Sequence, residues 1–310
     1  MTNTAYKSMK ELPGSHVMAG GTGICAGCGG LEAIKMLCDV LGANTIVVNA
    51  AGCMTLLSVY PHTPFPGSWL YTAMASAPAG GQGVRDALDI LEARAARTGA
   101  PRREKTHVLV LTGDGSANGM GLSATSAAMD RRLDFWYLCY DNEGYGNTGQ
   151  QTSAATPHGA HTSTDPGGFA GEKKNLFAIW AAHNPSYLAT ITAAEPVDLA
   201  RKVAQARELE GPRMFIALAP CPTGWHFAPR DSVKIGRLAV KTGMFPLKTF
   251  INGRIEHTRP PQARGRRPPV EQYLELQGRF AHLFHPRRDE ARLAEIQRRV
   301  DMYWEAVGVA

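Results

Sequence analysis

Residues 108–153, VLVLTGDGSANGMGLSATSAAMDRRLDFWYLCYDNEGYGNTGQQTS, hold the pattern from which the architecture follows. The run opens with Val108-Leu109-Val110-Leu111, which has the length and branching of a strand buried on both faces. It breaks at Gly113-Asp114-Gly115. Small and apolar residues over 122–129 then read as a helix, and a second apolar run over 135–140 ends at Asp141-Asn142. Strand, glycine-flanked acid, helix, strand is a βαβ unit whose polar groups fall where two parallel strands end. Open α/β sheets take ligands at those carboxyl ends, so the chemistry is expected there.

Towards the N-terminus, residues 20–30 (GGTGICAGCGG) are dense in glycine and carry a C-x-x-C. A helix is read over 31–41 and a buried strand over 45–49, with Cys53 just past the strand's end. Residues 61–66 form a proline-bounded loop. A run of tiny residues over 73–83, small enough to admit a close backbone or a flat cofactor, leads into a helix over 84–97. Towards the C-terminus, 152–174 is a long polar loop of the kind that is functional or disordered. Beyond it come a helix over 176–183, a strand over 187–191, a helix over 196–208 and a last clear strand over 213–218 that runs into Pro220-Cys221-Pro222. Residues 258–269 are rich in proline and arginine, a docking arm or linker, and two amphipathic helices over 270–284 and 289–307 close the chain. The expected fold is α/β, an open and mainly parallel sheet flanked by helices. Residues 1–20 are an N-terminal arm, 21–250 the main domain with a cysteine-rich start, and 251–310 a helical C-terminal extension.

At 310 residues, 44% hydrophobic and 19% charged, the chain has the composition of a soluble globular protein. No apolar run approaches the roughly 20 residues of a membrane helix. The first residues lack an apolar signal core, so a cytoplasmic location is expected. A net charge of +6 over this length is modest and gives no footprint for nucleic acid. Six cysteines in such a chain favour reduced thiols over disulfides. Cys25, Cys28, Cys53 and Cys221 would suit a [4Fe–4S] cluster; a zinc site or redox and buried thiols remain open readings. Cys38 and Cys139 read as core residues.

Asp114 and Asn142, at the ends of successive strands, bring a carboxylate and an amide oxygen towards one ion, and the N–H groups of Gly115 and Ser116 face the same place. Phosphate oxygens and water would complete a Mg²⁺ shell. The Gly-Lys-Ser/Thr of a nucleotide P-loop is absent and no βαβ opens with G-x-G-x-x-G, which leaves a Mg²⁺-diphosphate site.

Gly113-Asp114-Gly115 followed by Asn142 resembles the signature of thiamine diphosphate enzymes. Residues 141–151 (DNEGYGNTGQQ), with Cys25-Ala26-Gly27-Cys28-Gly29, Gly52-Cys53, Tyr60-Pro61, Ala155-Thr156-Pro157 and residues 220–225 (PCPTGW), are similar in order to the β subunit of 2-oxoacid:ferredoxin oxidoreductases of the pyruvate synthase type. The likeness spans about residues 20–250. It implies the thiamine diphosphate-binding fold, with Mg²⁺ held by Asp114, Asn142 and the Gly144 carbonyl. Gly113, Gly115, Ser116, Asn147 and Thr148 would lie on the cofactor, Asn147 nearest the reacting carbon. Cys25, Cys28, Cys53 and Cys221 would ligate one [4Fe–4S] cluster.

The implied reaction is oxidative decarboxylation of a 2-oxoacid to acyl-coenzyme A and CO₂, with electrons passing to ferredoxin or another acceptor. Pyruvate is the default substrate, and an aromatic 2-oxoacid such as phenylglyoxylate, or oxalate or 2-oxoglutarate, stays open. The implied partners are an α subunit supplying the glutamate that activates the cofactor, together with ferredoxin-like and γ-type subunits. A non-redox thiamine decarboxylase subunit is the alternative. Gly21-Thr22-Gly23-Ile24 and Met54-Thr55-Leu56-Leu57-Ser58 depart from the family pattern, and Thr63-Pro64-Phe65 is placed to shape the substrate pocket.

Overall fold

The computed structural model describes residues 6–101, 104–263 and 265–309. Strands β1 (Thr45–Ala50), β2 (Trp69–Thr72), β3 (His107–Gly113), β4 (Trp136–Asp141), β5 (Tyr187–Thr192), β6 (Arg213–Leu218), β7 (Lys248–Ile251) and β8 (Arg254–His257) form one sheet in the order β2-β1-β3-β4-β6-β5-β7-β8. Neighbours from β2 to β5 pair parallel, while β7 joins β5 antiparallel and β8 joins β7 antiparallel. The helices are α1 (Gly29–Leu41), α2 (Ala77–Thr98), α3 (Leu122–Asp130), α4 (Leu176–Ala181), α5 (Pro196–Arg207), α6 (Pro222–Trp225), α7 (Ser232–Lys241), α8 (Glu271–Leu274) and α9 (Glu290–Ala306). None of them is long and apolar enough to cross a membrane.

The central strands read as unbroken apolar runs because both sheet faces are covered. Side chains alternate along each strand. Leu109, Leu111, Trp136, Leu138 and Tyr140 face a core shared with Leu37 of α1 and Leu199 of α5. Val108, Val110, Tyr137 and Cys139 face the opposite core with Ala77 of α2, Met129 of α3 and Trp180 of α4. A third core, containing Trp225, Leu247, Phe280 and Trp304, lies under the C-terminal elements. Cys38 and Cys139 are buried in the first and second cores.

Three readings of the sequence need correction. The strand at 213–218 is not the last, because a β7–β8 hairpin follows. Its signal was the Asn252-Gly253 turn, with φ of 52° and 75°, masked by two four-residue strands, the second of them charged and mostly exposed. The helix expected over 270–284 is instead the single turn α8 followed by a 3₁₀ segment at Gly278–Leu283. It breaks where the Gly278 N–H turns to the His226 carbonyl at 3.1 Å, a tertiary contact that no periodicity reveals. The helix expected over 84–97 begins earlier, within the small-residue run, at Ala77; a Cβ on Gly81 would collide with Val110 of β3, while Met74 of the same run lines a cleft at the carboxyl ends of β1, β3 and β4.

The N-terminal arm is tied to the domain by the Asp39 carboxylate, which accepts from the Val17 N–H and contacts the His16 ring, both at 2.7 Å. The first five residues of that arm and Arg264 of the 258–269 stretch lie outside the described residues.

Candidate functional site

The carboxyl ends of β1, β3 and β4 frame a cleft of about 120 Å³. Gly113, Asp114, Gly115, Asn142, Gly144, Asn147 and Thr148 line it, together with Gly52, Cys53, Met74, Tyr140 and Tyr145. Seven of the eight expected cofactor-binding residues therefore share one cavity. The eighth, Ser116, is buried behind it with its hydroxyl donating to the Met74 carbonyl. Gly115 must be glycine, because a Cβ there would overlap the Tyr145 ring. Thr63-Pro64-Phe65 is not part of the cleft wall, and Phe65 belongs to the first core.

At the cleft's base three oxygens meet. Asn142 Oδ1 lies 2.6 Å from Asp114 Oδ1 and 3.0 Å from the Gly144 carbonyl oxygen, while its amide nitrogen faces the Cys53 sulfur at 3.9 Å. Exchanging the amide's oxygen and nitrogen would turn the first two contacts into hydrogen bonds. A cation among the three oxygens satisfies them without exchange. Oxygens on adjacent corners of a Mg²⁺ octahedron stand about 2.9 Å apart, given bonds of roughly 2.0–2.1 Å. The donor set and spacing therefore fit Mg²⁺.

Asp114 is fully buried and also accepts the Ser153 hydroxyl. Burial, then the charge of Asp141, pushes its carboxyl well above the usual range, a sign of a carboxylate lacking a counter-charge. Bound Mg²⁺ would reverse that sign. The segment that carries Asn142 and Gly144 is braced from several sides. Lys173 Nζ bridges Asp141 at 2.8 Å and Glu143 at 2.7 Å, Arg279 reaches Glu143 at 2.7 Å, and Trp225 Nε1 donates to the Asn142 carbonyl at 2.8 Å. The Arg279 guanidinium also lies 3.8 Å from the centre of the Trp225 ring. Burial alone would raise the Glu143 pKa, but Lys173 and Arg279 prevail and hold it low. Their pairing sustains Glu143 at φ 60°, a strained backbone for a non-glycine residue.

Asn147 and Thr148 sit on an exposed 3₁₀ turn at the cleft's rim. The Thr148 hydroxyl donates to the Tyr145 carbonyl at 3.2 Å, whereas no bond of the Asn147 side chain is found within the protein among the described residues. Inside the cleft the buried Tyr140 hydroxyl has the Met54 backbone N–H beside it and lines the space a ligand would fill.

The four expected metal-ligating cysteines approach the cleft from three loops. The Gly29 N–H bonds the Pro220 carbonyl at 3.1 Å, docking the C-x-x-C beside Cys221. Cys53 follows β1 and faces Asn142. The Gly224 N–H donates to Cys221 Sγ at 3.3 Å, and the Thr223 hydroxyl to Cys25 Sγ at 3.7 Å. Burial pushes the Cys28 thiol up to about 11 and the Cys53 thiol up to about 12, and the charges of neighbouring cysteines add to both shifts. The Cys221 thiol is raised in the same way.

No three His, Cys, Asp or Glu side chains among the described residues converge closely enough to hold a single ion. A tetrahedral zinc would need its sulfurs about 3.8 Å apart, for bonds of roughly 2.3 Å. The four thiols lie near enough for charge on one to raise the pKa of another, and the Gly224 N–H and the Thr223 hydroxyl donate to two of the sulfurs.

Reasoning from the sequence missed Ser153, Lys173, Trp225 and Arg279 as supports of the site. Trp225 stood within the quoted PCPTGW string. The other three carry no local signal, because their partners lie 39, 30 and 136 residues away.

Residues 50–217 match the family model described as thiamine pyrophosphate enzyme, C-terminal TPP binding domain. The chain is 40% identical over 298 residues to the pyruvate synthase subunit PorB of Methanothermobacter marburgensis, covering 94% of this chain and 97% of that one. It is 39% identical over 279 residues to the PorB of Methanocaldococcus jannaschii, covering 88% and 92%. A ketoisovalerate oxidoreductase subunit VorB from Pyrococcus horikoshii is 34% identical, with 89% of each chain covered. Among solved structures, a 2-oxoglutarate:ferredoxin oxidoreductase from Magnetococcus marinus shares the fold, with a TM-score of 0.55 at 22% identity over 72% of each chain.

Proposed function

The chain belongs to the β subunits of 2-oxoacid:ferredoxin oxidoreductases, the thiamine pyrophosphate-binding family that includes pyruvate synthase PorB, and from that premise we propose that it oxidatively decarboxylates pyruvate to acetyl-coenzyme A. The observation that carries the reading is the oxygen trio of Asp114, Asn142 and Gly144, set beside Cys53 in one cleft. Pyruvate is preferred because the more similar relatives are pyruvate synthase subunits; a branched 2-oxoacid follows from the VorB likeness, and an aromatic one such as phenylglyoxylate has less support. The non-redox alternative is not favoured, since these relatives are subunits of oxidoreductases.

In this reading Asp114, Asn142 and the Gly144 carbonyl hold Mg²⁺, and the Gly113–Gly115 turn lets the diphosphate approach the backbone. When bound, thiamine diphosphate supplies the nucleophilic carbon and the electron sink for decarboxylation, and a [4Fe–4S] cluster on Cys25, Cys28, Cys53 and Cys221 supplies one-electron transfer. Asn147 presents its free amide to the substrate at the rim. Tyr140 offers its hydroxyl from within the cleft. Asn142 touches both halves of the site, its oxygen towards Asp114 and its nitrogen towards Cys53. Among the described residues the lining contains no glutamate, and Glu143 is held by Lys173 and Arg279. In this reading the group that activates the cofactor comes from another chain, an α partner, and the subunit works with ferredoxin-like and γ-type subunits as well.

The native complex, purified without oxygen, tests this directly. With coenzyme A and a viologen dye it should reduce the dye fastest on pyruvate and contain about four iron atoms per β chain for the thiol quartet. Reduction with no preference for any 2-oxoacid, or zinc in place of iron, would sink the proposal.

A further inference from the structure

A second cavity, of about 390 Å³, opens on the other side of residues 141–144. Side chains alternate along that segment. Asp141 and Glu143 line this cavity, Asn142 and Gly144 line the cofactor cleft, and the two cavities have no described lining residue in common. The wall is largely apolar, with Phe177 of α4, Ile216 of β6, Phe245, and Ile296 and Val300 of α9.

Four Lys or Arg side chains reach it. Lys173 is held by Asp141 and Glu143, and Arg299 by Glu172 and Glu295. The other two have no carboxylate among the described residues. Lys174 donates to the Asn118 carbonyl at 2.6 Å, and Lys248 donates to the Tyr303 hydroxyl at 3.0 Å with its ammonium 4.3 Å from the centre of the Phe177 ring. Lys248 is 9% exposed, and burial pushes its ammonium down to about 8, the response of a cation that has lost water without gaining an anion. His257, which meets the same Tyr303 hydroxyl at 2.9 Å, is held low by burial and then by the Lys248 charge. Asn118 Oδ1 is buried on the same wall without a partner. An apolar cavity of this size with one buried cation that meets no carboxylate, Lys174 being exposed, and a free acceptor is built like a small-molecule site.

We propose that this cavity binds a small monocarboxylate with an apolar body, its carboxylate on Lys248 and its hydrocarbon against Phe177, Phe245 and Val300. A single charge matches the lysine, and the apolar wall disfavours a polyanion such as a nucleotide. The inference stands apart from the reading of the cofactor cleft.

Hexanoate is the probe and hexanamide its uncharged counterpart, each titrated calorimetrically into the native complex. Hexanoate should saturate one site per chain. Hexanamide should bind at least about tenfold more weakly, because a charge-assisted bond is lost. Lys248→Met should weaken hexanoate at least about tenfold, and Val300→Trp, which fills the wall and keeps the lysine, should weaken both probes. If Lys248→Met does not assemble, the amide comparison and Val300→Trp still decide. Absence of saturable hexanoate binding would overturn the proposal, including the case where a partner chain already fills the cavity. Equal binding of acid and amide, or affinity untouched by the substitutions, would overturn it as well.

Discussion

Asp114, Asn142 and the Gly144 carbonyl stand at the ends of two adjacent parallel strands, with the Asn142 oxygen 2.6 and 3.0 Å from the other two, whereas the four thiols arrive on loops that meet only through packing. The oxygen group is assembled by the sheet itself. β3 and β4 pair residue by residue up to Gly113 and Tyr140, which fixes where Asp114 and Asn142 emerge. Ser153, Lys173, Arg279 and Trp225 then immobilise them.

The thiols have less such bracing, with one donor each on Cys221 and Cys25. Cys25 is exposed, Cys28, Cys53 and Cys221 are half-buried, and burial with mutual repulsion keeps those three protonated. Metal binding would release those protons, so affinity there is coupled to pH and to local folding. One side of the site is preformed by the fold, and in the proposed reading the other would be completed by its metal.

Three substitutions can break or sharpen that contrast. The largest effect is expected from Asp114→Ala. Thiamine diphosphate should be lost from the native complex on desalting and 2-oxoacid-dependent dye reduction should fall by about 1,000-fold or more, since the carboxylate is the only charged oxygen of the trio. The visible absorption of the cluster should stay. Turnover within tenfold of the parent would place the metal elsewhere.

Cys221→Ala should act the other way round, with iron per chain and visible absorption falling sharply and dye reduction dropping by about 100-fold, while thiamine diphosphate is retained. A full cluster in this variant would move the fourth ligand to another residue.

The smallest effect is expected from Ser153→Ala, which removes a hydrogen bond to Asp114 and leaves the trio intact. Mg²⁺ affinity, measured as the concentration restoring half activity after chelation, should weaken about tenfold. An unchanged value would show that the strand ends alone hold the oxygens in place.

Much of this was legible in the sequence, for local reasons. The apolar runs of β3 and β4 name two buried parallel strands, and a strand's end is where its next polar residue must face solvent or a ligand, which singles out Asp114 and Asn142. The cysteines could be gathered on paper because each follows a glycine-rich or proline-rich break at a strand or helix end. The hairpin of β7 and β8 was hidden because four residues with a lysine or two charges give too little periodicity, although Asn252-Gly253 marked its turn. The break at Gly278 was hidden because its cause, the His226 carbonyl, lies 52 residues away in the chain.

By itself, then, the sequence determined the parallel sheet, the ligand-bearing strand ends and the chemical types of the donors, because strand burial, glycine turns and residue identity are properties of short segments. Tertiary structure alone decided how those donors are held. Lys173 and Arg279 clamp Glu143 from distant loops, Trp225 fixes the Asn142 carbonyl, and alternate side chains of 141–144 face two separate cavities. Charges and hydrogen bonds act through space over a few ångströms, and only the folded chain sets which residues come within that range.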